Sequence, residues 1–282
     1  MNPKESAAHL LNKVVNSQRC PTRILLHLDI TEQRKLPHQR EQFLKHLGKL
    51  GIQVWNHRIA NVSKPVIQRM NRKLKLPDTI APRKGPDSDL LIVKTKFNSF
   101  GYPEGKMNEE ERSILGYARR WTIPAQMSTE YPVLRRGEIP VNWWNTRHLV
   151  MERFVTNRKN QFLRVFFSGR HCVVCLGESA ALVKRPQNGV FTQSYLMTRD
   201  RATDPSAVDR LPTIVFRSFL NSVRFADDFG LDYGAIDLVL DDQDTPYIID
   251  VNPTPSGIWD LQPEVKQYLR AGFSRSTVPR FS

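Results

Sequence analysis

The stretch AIDLVLDDQDTPYIIDVNPTPSG, residues 235–257, decides the fold. Two apolar runs flank an aspartate-rich turn, and this pattern predicts a β-hairpin. A symmetric turn would place Leu240 opposite Tyr247 and, counting back along both strands, Asp237 opposite Asp250. Like charges that face each other across a hairpin are destabilising. The hairpin therefore predicts that a cation or a shared proton lies between these two carboxyl groups.

Asn252 adds a third oxygen donor to the same hairpin. Because side chains alternate along a strand, Asn252 shares the face of Asp250. Two carboxylates and an amide, without His or Cys, form the donor set typical of Mg²⁺ shared with nucleotide phosphates, and Mn²⁺ is an alternative. The other interpretation is an ordinary acidic hairpin, since a register slip of one residue would separate the two aspartates. The remaining acids of the turn are interpreted as ordinary turn residues: Asp241, Asp242 and Asp244.

Length and composition predict a folded protein with a sizeable core. The chain has 282 residues, of which 40% are hydrophobic, enough for one large core or for two to three linked subdomains. No apolar run reaches the roughly 18 residues of a membrane helix, and the first residues lack the apolar centre of a secretory signal. We therefore expect a soluble, cytoplasmic protein without membrane contact.

Charge and cysteine content narrow the class of protein further. The formal net charge is +14; basic residues dominate residues 1–200, whereas acidic residues outnumber basic ones over residues 201–282. A basic protein with an acidic pocket suits a metal-bound polyphosphate, although nucleic acid or an acidic substrate would also satisfy the basic part. The three cysteines, Cys20, Cys172 and Cys175, are too few for a disulfide framework. HCVVCLG is therefore interpreted as an apolar strand rather than a metal site.

The N-terminal part predicts a strand, a helix and a second strand. RILLHLDI reads as a buried strand, the helical segment HQREQFLKHLGKLGI places Phe43, Leu47 and Leu50 on one face, and GIQVW is the next strand. Elements of these lengths form a βαβ unit with a parallel strand pair.

A helix over SKPVIQRMNRKLKLP, residues 63–77, follows with Ser63 as a candidate cap and Pro65 in its first turn. Ile67, Met70 and Leu74 share one face, and the other face is strongly basic. That face is interpreted as solvated, with contact to nucleic acid as the alternative.

The rest of the chain alternates strands and helices and predicts an α+β fold. Strands are expected in SDLLIVKT, RHLVMERFV, QFLRVFFSG and RHCVVCLGES, and helices in NEEERSILGYARRW and residues 211–229. Phe191 to Asp204 is interpreted as a loop before the last of these helices. Arg199 and Arg201 in this loop are interpreted as solvated, with binding of an acidic substrate as the alternative.

These motifs, in this order, resemble the ATP-grasp superfamily, and most closely its RimK-like and glutathione-synthetase-like carboxylate-amine ligases. FADDFGLDYGAIDLVL followed by YIIDVNPTPSG is similar to the closing signature of that family. LIVKTKFNSFG resembles its strand lysine followed by a flexible phosphate-covering loop, and HLVMERFV resembles its adenine-binding hinge strand. The resemblance covers about residues 52 to 260.

The resemblance implies a role for individual residues. It implies metal ligation by Asp237, Asp250 and Asn252, and a catalytic role beside the reacting phosphate for Arg164 and Lys94. The residues implied to bind ATP are Lys64, Lys94, Ser99, Gly101, Glu152, Arg153, Phe154 and Val155. The sequence departs from most relatives at Asp250, where they carry glutamate. This carboxylate is shorter, so the cation must lie closer to the strand or be held through water.

The resemblance also implies an architecture and a reaction. ATP would lie between two α+β subdomains, and the divisions are residues 1–62 for an N-terminal α/β unit, 63–155 for a small lid subdomain and 156–282 for a C-terminal subdomain with the Mg²⁺ site. The implied reaction joins the carboxylate of an amino acid or peptide to an amine through an acyl phosphate. A kinase on the same scaffold is the first alternative. A basic nucleic-acid-binding protein without catalysis is the second.

Overall fold

The computed structural model describes residues 23–26, 31–32, 37–115, 130–184, 186–204 and 211–273. Within these ranges the strands are β1 Arg23–Leu25, β2 Gln53–Trp55, β3 Leu90–Thr95, β4 Val133–Arg135, β5 Leu149–Arg153, β6 Gln161–Ser168, β7 His171–Glu178, β8 Val190–Thr198, β9 Tyr233–Leu240 and β10 Pro246–Asn252. The helices are α1 Pro37–Lys49, α2 Lys64–Lys73, α3 Tyr102–Lys106, α4 Glu109–Leu115, α5 Val141–Trp144, α6 Thr213–Phe229 and α7 Pro263–Ala271. The predicted α+β class is confirmed.

An antiparallel sheet of five strands, in the order β10-β9-β6-β7-β8, holds the main core. Alternate residues of β6 supply its two faces, because successive side chains of a strand point in opposite directions. Leu163 and Val165 pack with α2 and α6 on one face, whereas Phe166 packs with Val265 and Leu269 of α7 on the other. Burial on both faces explains why β6 and β7 read as almost continuous apolar runs.

Two smaller sheets complete the described fold. Strands β4, β3 and β5 form an antiparallel sheet, and β1 pairs in parallel with β2, as predicted for the N-terminal unit. Phe43 and Leu47 of α1 pack beside this parallel pair. The prediction for Leu50 was wrong: α1 ends at Lys49, and Leu50 lies in the following turn with half of its surface exposed. The second half of the predicted first strand, residues 27–30, lies outside the described residues.

Helix α2 packs against the five-stranded sheet. Ile67 is fully buried in the main core, and the side-chain amides of Gln68 and Asn71 both donate to the carbonyl oxygen of Ile248 in β10, at 3.1 and 2.9 Å. Pro65 lies in the first turn as expected, and Ser63 precedes the helix without a side-chain cap bond. The division of the chain at residues 62 and 155 stays a prediction.

The hairpin of β9 and β10 differs from the symmetric turn that the sequence predicts. Leu240 pairs with Pro246 and not with Tyr247, so the predicted register near the turn was wrong by one residue. A bulge between Ile248 and Asp250 then adds one residue to β10 and restores the pairing of Asp250 with Asp237. The predicted pairing of these two carboxyl groups is therefore confirmed, although the strands reach it by another route.

Strand β8 was missed in the sequence, where residues 191–204 read as a loop. The uncharged segment VFTQSYLMT forms the last strand of the large sheet, and a short 3₁₀ turn over Arg199–Thr203 follows it. Arg199 donates to the carbonyl oxygen of Gly169 at 2.8 Å and forms an ion pair with Asp227. Its guanidinium thus connects the turn between β6 and β7 with helix α6.

The two cysteines of β7 are free thiols in the core, as the sequence predicts. Burial raises the pKa of Cys172 to about 12 and that of Cys175 to about 11. Because the thiolate is the reactive form, we expect a Cys20→Ser variant to show no thiol reactive towards a disulfide reagent at pH 8 while folded. Two thiols should react after denaturation. Fast reaction of the folded variant would contradict the burial of β7.

No helix among the described residues is long and apolar enough to cross a membrane.

Candidate active site

A cavity of about 570 Å³ lies where the three-stranded sheet faces the β9–β10 hairpin. Most residues predicted for the site line it: Lys64, Lys94, Glu152, Arg153, Phe154, Val155, Arg164, Asp237, Asp250 and Asn252. Two do not. Gly101 is absent from the lining, although its neighbours Phe100 and Tyr102 belong to it, and the side chain of Ser99 lies outside the described residues.

Arg164 and Asp237 form a buried ion pair at the base of the cavity. They are register partners on β6 and β9, and the guanidinium binds the carboxylate through two hydrogen bonds, Nε to Oδ1 at 2.6 Å and Nη2 to Oδ2 at 2.9 Å. The remaining Nη1 donates to the carbonyl oxygen of Ser256 at 2.8 Å. Burial alone would lower the pKa of Arg164, but the charge and hydrogen bonds of Asp237 raise it above its usual value. Arg164 therefore keeps its positive charge, and its hydrogen bonds hold the guanidinium in one position.

Asp250 lies beside Asp237 with about a quarter of its side chain exposed. Oδ1 is 4.0 Å from Nζ of Lys64 and accepts a hydrogen bond from the backbone N–H of Val251 at 3.1 Å. Burial raises the pKa of Asp250, Lys64 opposes this shift, and the charge of Asp237 adds to it. The carboxyl group therefore ionises less readily than usual and would gain from a further cation.

The hairpin offers hard oxygen donors for a divalent ion. The amide nitrogen of Asn252 donates to Oδ2 of Asp237 at 3.2 Å, which leaves the amide oxygen of Asn252 available to a ligand. Both oxygens of Asp237 already accept from Arg164, so Asp250 and Asn252 are the freer donors. Among the described residues no group of three or more His, Cys, Asp or Glu side chains could hold a metal. The oxygen donors that Asp250 and Asn252 do supply fit an ion such as Mg²⁺, which binds proteins through one or two carboxylates and takes its other ligands from phosphate and water.

Lys94 and Glu152 form a second buried ion pair across strands β3 and β5. Nζ of Lys94 lies 2.6 Å from Oε2 of Glu152, and the two residues are 6% and 1% exposed. The other carboxylate oxygen, Oε1, is buried and has no hydrogen-bond partner among the described residues. A buried acceptor without a donor costs free energy, which a ligand that donates to it would recover.

The predicted hinge, Glu152 to Val155, lines the cavity through all four residues. The backbone N–H groups of Arg153 and Phe154 already donate to the carbonyl oxygens of Thr79 and Leu90, at 2.7 and 2.9 Å. The next backbone donor along the hinge is Val155, for which no backbone hydrogen bond is found within the described part of the chain.

The loop after β3 is held by hydrogen bonds to β10 and to Thr31. The side-chain amide of Asn98 donates to the carbonyl oxygen of Val251, between Asp250 and Asn252 of β10, at 3.3 Å. Further along, Glu104 accepts a hydrogen bond from the backbone N–H of Thr31 at 2.6 Å. Phe100 has a φ of 58°, in a left-handed region that is unfavourable for a bulky residue. The loop thus holds local backbone strain directly above the cavity.

Several cavity residues were not predicted from the sequence. They are Thr79, Ile92, Tyr131, Leu182, Val183, Lys184, Pro186, Asn188, Val239, Ile249 and Ser256, whereas Phe100 and Tyr102 belong to the loop predicted to cover the phosphates. The segment between β7 and β8 carried no recognisable motif, and Lys184 holds its turn by donating to Asn160, Ser179 and Ala181. The alternation of β9 and β10 could have indicated Val239, which is two residues from Asp237.

Replacing Arg164 with Lys is expected to reduce turnover more than nucleotide binding. An ammonium keeps the charge but cannot form the two parallel hydrogen bonds to Asp237, and it does not reach Ser256 in the same geometry. We expect kcat to fall by about tenfold or more, with a Kd for ATP within about threefold of the wild type. Steady-state kinetics and calorimetric titration measure the two effects. Equal losses in both would contradict a role specific to the reaction.

No protein-family model matches the sequence, and no curated protein matches it. Solved structures do match. The ATP-grasp ligase PsnB, complexed with minimal precursor, Mg and ADP, aligns over 89% of this chain and 78% of its own, at 12% identity and a TM-score of 0.48. The macrocyclase MdnC from Microcystis aeruginosa MRC, bound with precursor peptide MdnA, aligns over 89% and 77%, at 10% identity and a TM-score of 0.45.

A further match is D-alanine–D-alanine ligase from Bacillus anthracis complexed with ATP, which aligns over 88% of this chain and 73% of its own, at 14% identity and a TM-score of 0.36. The solved structures that match include an ATP-grasp ligase, the family that the sequence resembles, and at these identities the likeness concerns the fold alone. The identities and TM-scores are low, so a function for this chain has to be inferred from its own residues.

Proposed function

We propose that the chain is an ATP-grasp ligase that joins a carboxylate to an amine at the expense of ATP. The observation that carries the proposal is the cavity itself. One wall holds the Lys94–Glu152 pair and the hinge, and the opposite wall holds Arg164, Asp237, Asp250 and Asn252. A phosphate-binding lysine, a base-binding strand and a metal-binding hairpin thus face a common space, although they come from separate sheets.

The nucleotide would lie across this space with its base at the hinge. Val155 supplies the backbone donor, while Ile92, Phe154 and Val239 supply apolar surface for a purine ring. The phosphates would extend towards Lys64 and Lys94, both of which are buried and line the cavity. The proposed division into an N-terminal unit, a lid and a C-terminal subdomain agrees with this position, between the second and third units.

Charge favours a metal-bound nucleotide. Five basic residues line the cavity against three carboxylates: Lys64, Lys94, Arg153, Arg164 and Lys184 against Glu152, Asp237 and Asp250. This excess of positive charge is smaller than the roughly four negative charges of a triphosphate, so the phosphates need a further counterion. When bound, Mg²⁺, or Mn²⁺ in its place, would supply that charge and polarise the γ-phosphate. Asp250 and Asn252 would hold the ion, and Asp237, whose two oxygens accept hydrogen bonds from Arg164, would add its negative charge.

The proposed reaction has two balanced steps. A substrate carboxylate oxygen attacks the γ-phosphorus and the bond to the β–γ bridging oxygen breaks, which gives an acyl phosphate and ADP. An amine then attacks the acyl carbon, phosphate leaves, and loss of the amine proton gives an amide. Arg164 and Lys94 would stabilise the charge of the transferred group, since phosphoryl transfer depends mainly on positioning and charge. The loop over residues 98–105 would exclude water, which otherwise hydrolyses the intermediate.

The proposal is tested by incubating the protein with ATP, Mg²⁺ and a pool of amino acids and short peptides. Phosphorus NMR and product masses are recorded together. ADP, free phosphate and a new amide mass support the ligase. A phosphoester signal with ADP and no free phosphate would instead identify the kinase alternative, and absence of ATP binding would contradict both.

The nucleic-acid alternative has a specific weakness in the structure. Two basic residues of α2, Arg72 and Lys73, form ion pairs with Asp78 and Asp228, at 3.3 and 2.8 Å. Their charge is therefore partly compensated within the protein. Steeply salt-dependent binding of nucleic acid that survives the Asp250→Asn substitution would nevertheless favour this alternative. The RimK-like subgroup and a cytoplasmic location stay predictions.

A further inference from the structure

Thr79, a residue of the cavity wall, has a buried hydroxyl group that nothing in the described protein satisfies. The residue is 1% exposed and lines the cavity, and its Oγ1 has no hydrogen-bond partner among the described residues. A threonine hydroxyl can both donate and accept, and leaving it unpaired in the interior is costly. A ligand atom that forms a hydrogen bond with this hydroxyl would remove the cost.

The backbone on both sides of this hydroxyl is fixed. The N–H of Thr79 donates to Oε1 of Gln68 at 3.0 Å, and its carbonyl oxygen accepts from the N–H of Arg153 at 2.7 Å. Gln68 is itself anchored to the carbonyl oxygen of Ile248 at 3.1 Å. Thr79 is thus attached to the hinge on one side and to β10 on the other, and its hydroxyl has a defined position before any ligand arrives.

The neighbours of Thr79 indicate which part of a nucleotide it meets. Ile80 forms an isolated bridge with Glu152, so Thr79 lies beside the hinge. Glu152 contributes a second unpartnered buried atom, Oε1, which as a carboxylate oxygen only accepts hydrogen bonds. Two unsatisfied polar atoms therefore belong to two neighbouring segments, one ending at Ile80 and the other forming the hinge.

We propose that the Thr79 hydroxyl forms a hydrogen bond with the base of the bound nucleotide, at the purine edge that carries the C6 amine and N7. The inference rests on the proposed function, since it assumes that a nucleotide occupies the cavity. The pair of atoms prefers a base with an amine at C6. A guanine would bring its carbonyl oxygen towards Oε1 of Glu152, and two acceptors would then face each other. Thr79 is accordingly a specificity-determining residue of the nucleotide site.

The substitution Thr79→Val removes the hydroxyl and keeps the shape of the side chain. We expect it to act in opposite directions on the free and the bound protein. Without nucleotide, loss of an unpaired buried hydroxyl should leave the melting temperature unchanged or raise it by about 2–4 °C. With Mg²⁺ present, the Kd for ATP should rise by about five- to tenfold. Thr79→Ser, which keeps the hydroxyl, should bind ATP within about twofold of the wild type.

The atom that Thr79 contacts is found with two ATP analogues, purine riboside triphosphate, which lacks the C6 amine, and 7-deaza-ATP, which lacks N7. Calorimetric titration gives the Kd of each for the wild type, Thr79→Val, Thr79→Ala and Thr79→Ser. The loss caused by Thr79→Val should vanish with one analogue and persist with the other. An unchanged Kd for ATP in both variants that lack the hydroxyl, or equal losses with all three nucleotides, would overturn the proposal.

These measurements test the role of Thr79 separately from the proposed function. A wild-type protein that binds ATP normally while Thr79→Val and Thr79→Ala bind it equally well contradicts the role of Thr79 and leaves the proposed function standing. A wild-type protein that binds no nucleotide contradicts the proposed function, and the role of Thr79 falls with it. The alanine variant provides a second protein without the hydroxyl if the valine variant does not fold.

Discussion

Replacing Asp250 with Asn is expected to abolish ATP turnover while the protein stays folded. The substitution removes one of the two negative charges that would hold the metal, and turnover should fall by roughly 100- to 1000-fold. Stability should not fall with it. Burial and the charge of Asp237 raise the pKa of Asp250, so its ionised form costs folding free energy at neutral pH, and a neutral amide relieves that cost. ADP release and thermal unfolding measure the two effects.

A matched control comes from the same hairpin. Asp244 lies at the turn, partly exposed and paired with Lys159, and its φ of 61° suits asparagine well. Asp244→Asn therefore makes the same chemical change outside the cavity, and we expect wild-type turnover. Comparable losses in both variants would show that the hairpin matters through its fold and not through the charge of Asp250.

Replacing Lys94 with Met is expected to reduce both stability and activity. The substitution leaves the carboxylate of Glu152 buried without its counter-ion, and breaking a buried pair in this way typically costs about 3–5 kcal/mol. It also removes a cation proposed to bind the phosphates, so turnover should become undetectable. Urea unfolding gives the stability, and ADP release gives the activity.

The double variant Lys94→Met with Glu152→Gln separates these two effects. A glutamine is neutral, so most of the lost stability should return, whereas the activity should not. If activity recovered together with stability, Lys94 would act only as a structural partner of Glu152. An unchanged free energy of unfolding in Lys94→Met would contradict the burial of the pair.

The site hairpin could be predicted because its chemistry interrupts an apolar pattern. Aspartates at 237 and 250 within otherwise apolar strands predicted that they face each other, and they do. The register near the turn was nevertheless wrong. The sequence shows no sign of the bulge before Asp250, because the extra residue, Ile249, is as apolar as Ile248 before it. Two deviations, at the turn and at the bulge, compensated for each other.

The partner of Asp237 could not be predicted in the same way. The sequence predicts a cation or a shared proton between the two aspartates, but which side chain lies beside them depends on which strand lies next to β9. That strand is β6, far away in the chain, and it brings Arg164 into register with Asp237. Arg164 was predicted beside the reacting phosphate, and its bidentate ion pair with Asp237 was not. Local patterns do not encode the order of strands in a sheet.

Strand β8 and the segment before it could not be predicted from the sequence. The segment VFTQSYLMT has short apolar groups without regular alternation, and five of its nine residues are exposed. It is the last strand of the described sheet and lacks burial on both faces, so it does not read as an apolar run. Leu182 and Val183, which precede it in the segment after β7, line the cavity together with residues that are distant in the chain. Positions of this kind depend on tertiary structure alone.

Isotope transfer from the substrate carboxylate tests the central claim most directly. The protein is incubated with ATP, Mg²⁺ and a pool of amino acids and peptides whose carboxylates carry ¹⁸O, and the released phosphate is examined by phosphorus NMR. An acyl phosphate passes one carboxylate oxygen to phosphate when the amine displaces it, so the account predicts singly labelled phosphate together with an amide product. Unlabelled phosphate accompanied by an amide would contradict activation of the carboxylate by phosphorylation.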